Sequence, residues 1–120
     1  MSMNRTTYLI AGYDLTNYKT YKYEDWSWTD EGEKYRYYTK KGNIQLFDDP
    51  MNGSYLYLGY ILAKITDNGY YGEEIINPEY VSEIMPDVSH KLLDLESKGI
   101  ISKCPRLGFD YKIIVFEEWS

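Results

Sequence analysis

Reactive side chains are scarce in this chain, which holds one histidine, His90, and one cysteine, Cys104. A hydroxyl or thiol nucleophile needs a base within hydrogen-bond reach, and that base needs a third group to orient it. His90 is expected on the polar side of a helix, where it reads as a solvated side chain. Cys104 sits between Lys103 and Pro105. A neighbouring ammonium favours the thiolate, yet a single small residue in a loop reads first as packing. The same two counts exclude a two-histidine phosphoesterase, a histidine-cluster metal site, an internal disulfide and a cysteine-based zinc site.

The carboxylates offer little more. Glu24-Asp25 and Glu117-Glu118 are adjacent on expected strands, so each pair splits across two faces and cannot share a substrate. Asp48, Asp49 and Asn52 precede Gly53, but the alternating ligands and closing glutamate of a calcium loop are absent, leaving a plain turn. No Gly-x-x-x-x-Gly-Lys-Ser/Thr or Gly-x-Gly-x-x-Gly loop is present to cradle phosphate. The expectation is a chain that acts by binding and not as an enzyme, with no cofactor, no metal and no catalytic residue.

Aromatic rings are the abundant resource, with 15 tyrosines and 3 tryptophans. Tyr21 to Thr29 alternates strictly, placing Tyr21 and Tyr23 on one strand face and Trp26 and Trp28 on the other. With Tyr35, Tyr37 and Tyr38 on a return strand, the rings either pair across a hairpin or form an aromatic platform. Lys22 and Arg36 beside them leave a small anionic ligand, such as a nucleotide, as the alternative.

Net charge is −6 and uneven: residues 1–60 carry seven basic and eight acidic groups, residues 61–120 six and eleven. Such a field repels a phosphate backbone, so nucleic acid is not the expected partner. The expected partner-binding set is Tyr23, Trp26, Trp28, Tyr35 and Tyr37, with Glu73, Glu74, Glu79 and Glu83 facing a basic groove on another protein.

These groups must be carried by a small set of elements. Residues 54–66 form the longest nearly unbroken apolar run, aromatic and β-branched, and predict a central strand covered on both faces. Thr7–Asp14 predicts a first strand in which Gly12 marks a bulge or a close backbone approach. The stretches 21–29, 33–39 and 43–47 predict an antiparallel meander, and 109–119 a closing strand. Asn77-Pro78-Glu79 opens a helix to about residue 85, and Pro86-Asp87 restarts one over 87–98. Gly99 stops that helix, and Ile100 and Ile101 fold back onto its end. Strands, then two short helices on one face, then a strand: this order predicts a single α+β domain over 1–120 with about five mostly antiparallel strands.

Val81 to Met85, a break, Val88 to Lys98, Gly99-Ile-Ile and the closing strand together resemble the second half of a winged-helix domain. The resemblance implies a DNA-reading second helix, here carrying Asp87, Asp94 and Glu96 against Lys91 and Lys98. Protein binding therefore ranks first, a nucleotide-like ligand second and DNA third. Tyr, Lys, Asn and Ile are read by AT-rich codons. With the small size and missing motifs, this suggests an accessory or inhibitory protein of a phage or other mobile element, acting on a host protein. No apolar run reaches the ~18 residues that span a bilayer, and residues 1–10 lack a signal-like apolar core. The expected setting is cytoplasmic, away from membrane, with self-association through a sheet edge left open.

Overall fold

The computed structural model describes residues 5–37, 44–49, 55–67, 74–75, 81–104 and 110–119. The expected central strand is present as β3 (Leu56–Asp67). On one side it pairs with β1 (Arg5–Asp14), and on the other with β2 (Ile44–Asp48) and the two-residue β4 (Glu74–Ile75). β5 (Lys112–Trp119) pairs with β1, giving the antiparallel order β2-β3-β1-β5 with β4 beside β3. Both faces of β3 are buried, which is why its apolar run shows no alternation. Leu56, Leu58, Tyr60 and Leu62 enter one cluster, and Ile61 another with Tyr8, Ile10 and Phe47.

The sheet is strongly coiled. Phe47 registers with Tyr57 and, through it, with Asp14, whereas Phe116 registers with Tyr8. In a flat sheet β2 and β5 would stand about 14 Å apart, and six residues of β1 would add about 20 Å along the strand. The two rings are nevertheless 5.1 Å apart. Coiling begins where the β1–β3 register slips between Leu9 and Ile10, a bulge that adds twist. It continues at Gly12, which faces Gly59; a Cβ on Gly12 would lie 2.0 Å from the Leu58 carbonyl oxygen. The expected close backbone approach is thus the actual role of this glycine.

Helices cover the other face. α3 (Val81–Ser97) is one continuous helix where two were expected, with Pro86 inside it. Proline removes one hydrogen bond and costs about 3 kcal/mol in a helix interior. Here Pro86 and Ser82, whose carbonyl loses its partner, are both exposed to solvent. Val81, Met85, Val88, Leu92 and Leu95 meanwhile bury one continuous stripe spanning the proline. At about 1.5–3 kcal/mol for each large buried side chain, that stripe outweighs the break. The helix pair that carries the winged-helix resemblance is therefore absent from 81–97. Gly99 ends α3 with φ of 73°, and Ile100 N–H donates to the Leu95 carbonyl at 3.1 Å, a Schellman stop.

The predicted hairpin over 21–39 is also replaced by helices in its described part, residues 21–37. α1 (Tyr23–Ser27) and α2 (Asp30–Tyr37) stand in its place, so among the described residues the sheet has fewer strands before β3 than expected. Tyr23, Trp26 and Ser27 are buried at i, i+3 and i+4, the helical period hidden inside an apparent alternation. Thr29 caps α2, its Oγ1 accepting the Gly32 N–H at 3.2 Å, with Asp30, Glu31 and Glu33 in the first turn. The expected loop at 15–20 contains a 3-10 turn (Thr16–Tyr18) and is tied to the end of α3. Thr20 Oγ1 donates to the Gly99 carbonyl at 2.7 Å, and the Ser102 N–H to the Tyr18 carbonyl at 2.7 Å.

Candidate functional site

α1 and α2 stand on β2 and are held there by a buried polar knot. Arg36, on α2, lies 3.5 Å from Asp48 Oδ1 at the end of β2 and donates to the Ser27 carbonyl at 3.2 Å. Tyr23 Oη donates to Asp48 Oδ2 at 2.7 Å. Asp48 thus receives two partners from the helical pair. On the opposite flank, Tyr35 Oη donates to Asp94 of α3 at 2.5 Å, and Lys98 bridges Glu31 and Asp94. Lys91 Nζ sits 4.9 Å from the Tyr35 ring centroid. Burial and the Asp94 hydrogen bond hold the Tyr35 hydroxyl well above its ordinary pKa.

This frame sorts the aromatic residues. Trp26 is 9% exposed, packed 5.3 Å from Tyr35 and 5.9 Å from Tyr23. Its indole N–H has no hydrogen-bond partner among the described residues. Trp28 is 73% exposed, with the Arg36 guanidinium carbon 5.7 Å from its ring centroid, and Tyr21 is 88% exposed. On the same segment Glu24, Asp25, Asp30, Glu31 and Glu33 are all exposed, Glu31 being bridged by Lys98, against exposed Lys22 and Lys34. The result is an acidic surface carrying two bare aromatic rings on a rigid helical support.

Of the expected partner-binding residues, Tyr23 and Trp26 are core, a correction that follows from their place on the inner side of α1. Tyr35 is half-buried and tied to Asp94. Trp28 is on the surface, as is Glu83 on α3. Tyr37 ends α2 and Glu74 lies in β4, but their side chains fall outside the described residues, as do Glu73 and Glu79 altogether. Tyr21 and the α1–α2 acids are the surface groups that strand reasoning missed. The signal that finds them is Thr29 followed by three acids within four residues, a helix start and not a turn. Arg36, expected beside an anionic ligand, is instead engaged with Asp48.

A second aromatic cluster fills the concave face of the sheet. Phe116 meets Phe47 at 5.1 Å, Tyr57 at 5.0 Å, Tyr55 at 5.5 Å and Tyr8 at 5.3 Å. Burial and the charge of Glu118, to which its hydroxyl donates, push Tyr8 up to about 12. Burial first, then nearby carboxylates, also raise Tyr55 and Tyr57. The Glu118 carboxyl is raised chiefly by its own burial and then by Asp48. Glu117, next to it, points the other way and meets Arg5 at 3.5 Å.

His90 is exposed, and Cys104 is a buried thiol in no disulfide. Among the described residues no three metal-ligating side chains converge, and no helix is long and apolar enough to cross a membrane. Comparison with protein families, with curated proteins and with solved structures finds no match to the chain.

Proposed function

We propose that this protein is a non-catalytic interaction module whose α1–α2 surface docks on a basic, partly apolar patch of another protein. The observation that carries the reading is Trp28, 73% exposed although its chain neighbours Trp26 and Ser27 are buried. Exposed tryptophan and tyrosine on a fixed backbone are the residue types that dominate interface energetics. The exposed acids of residues 24–33 steer a basic partner and disfavour phosphate backbones. An accessory or inhibitory role in a mobile element fits this reading and rests on composition alone.

The test is capture with the tagged full chain, with and without nuclease, beside Trp28→Ala and Tyr21→Ala variants. The expected result is one stoichiometric protein that survives nuclease and is lost from both variants while their circular dichroism is unchanged. Recovery of nucleic acid instead, or a protein retained equally by both variants, overturns the assignment. A co-purifying nucleotide with absorbance near 260 nm (roughly the nucleobase maximum, a quantity outside stacking estimates) would favour the small-ligand alternative.

A further inference from the structure

We propose that β5 is a self-pairing edge, through which two copies of the chain join antiparallel about a twofold axis at Val115. One side of β5 is paired with β1; among the described residues the other side pairs with no strand. Natural edges are blunted by charge, proline or a covering element. Ile113 to Phe116 is instead an unbroken apolar run. Ile113 registers with Ala11 and Val115 with Leu9, so both lie on the helix-bearing face. α3 packs on β1 and β3. Beyond it, Ile113 is 55% exposed and Val115 66% exposed.

The sequence of the strand chooses its own partner. Residues opposed across a strand pair share a face, so the axis moves only by whole residue positions along β5. With the axis at Val115, that residue meets its own copy, and Ile113 lies diagonal to it and opposite Glu117, whose carboxylate is held by Arg5 of its own chain. On the concave face Ile114 opposes Phe116 of the second copy, and Lys112 opposes its Glu118; the twofold makes each pair twice. An axis at Ile114 would set Glu118 against Asp110, two acids. An axis at Phe116 would set both carboxylates against apolar side chains, Glu118 against Ile114 and Glu117 against Val115, where the Val115 axis does so for Glu117 alone and gives Glu118 a lysine.

Within one chain Lys112 and Glu118 are about 20 Å apart along the strand and cannot meet. These two are brought opposite one another only between copies. Glu118, half-buried beside the charge of Asp48, is already offset in part by Lys64, Arg36 and the Tyr8 hydroxyl, and Lys112 of the second copy adds a further positive charge. A peptide strand from another protein would also satisfy the bare backbone, but it would not account for a strand complementary to itself. Two eight-residue strands bury less than about 1,200 Å², the range of weak, concentration-dependent dimers.

Sedimentation of the full chain across a concentration series reads the dimer, and engineered cysteines read its register. Directly opposed residues have Cα atoms about 4.5–5.5 Å apart, within disulfide reach. Val115→Cys is therefore expected to cross-link under mild oxidation. Ile113→Cys, about 13 Å from its copy, stays uncross-linked. Lys112→Glu weakens association about tenfold or more by opposing two acids, and adding Glu118→Lys restores it. Trp28→Ala leaves the dimer unchanged, which separates this interface from the α1–α2 surface. A monomer at every concentration, or cross-linking that favours Ile113→Cys, overturns the proposal. Both cysteine positions are exposed, so their comparison decides the matter even if the Glu118 variant does not fold.

Discussion

Phe47 and Asp48 are neighbours on β2 that point to opposite faces, and each belongs to a different aromatic assembly. On the concave side Phe47 joins rings from β1, β3 and β5 that hold one another by stacking and edge contacts. On the helical side Asp48 collects Arg36 and Tyr23, and Tyr35 is fastened to Asp94. Ring packing is less directional than charge-assisted hydrogen bonding, so the concave assembly fills the space that the coiled sheet encloses and holds the sheet closed. Charge-assisted hydrogen bonds fix geometry, so the helical assembly fixes the attitude of α1 and α2 and with it the position of Trp28. The contrast separates what keeps the sheet folded from what presents a surface.

The largest effect should come from Phe47→Ala. It removes a ring only 3% exposed and should cost about 3–5 kcal/mol. Chemical denaturation would show this as a lower midpoint, while partner affinity per folded molecule stays unchanged. Asp48→Ala should cost about 3 kcal/mol by leaving Arg36 buried without its carboxylate. Unlike Phe47→Ala, it should also weaken partner capture, because α1–α2 loses its anchor. Equal binding by both variants would erase the distinction drawn between the two assemblies.

A gentler probe is alkaline pH. Tyr8 holds its proton more tightly folded, up to about 12, than an ordinary phenol near 10. Above about pH 10 the unfolded chain therefore sheds a proton that the native state keeps. Its stabilising contribution, complete below pH 10, declines until about pH 12. Tyr35 and Tyr55 are raised in the same direction and deepen the decline. Denaturant midpoints from about pH 9 to about pH 11 should fall steeply, and Tyr8→Phe should flatten part of that slope. An unchanged slope in Tyr8→Phe would mean that the concave cluster is open to water. Smallest of all, Trp28→Ala should change stability by less than about 0.5 kcal/mol, as an exposed residue does.

Local signals carried much of the architecture. An apolar run without alternation fits a buried strand or a buried helix; its aromatic and β-branched content favoured a strand covered twice, and β3 is that strand. Gly12 and Gly99 were legible because a close approach and a left-handed stop each demand the residue without a Cβ. The stripe Val88, Leu92 and Leu95 read as a helix face for the same local reason. Tertiary structure decided the rest. Residues 21–37 satisfy both a two-residue and a helical period, and the choice fell to helix because Tyr23, Trp26 and Arg36 bury against β2 and α3 only in that form. Pro86 is a local stop that a long buried stripe overrode. Whether a tryptophan is core or surface is likewise a tertiary fact: Trp26 lies on the side of α1 that meets the rest of the protein, and Trp28, just past the end of α1, does not.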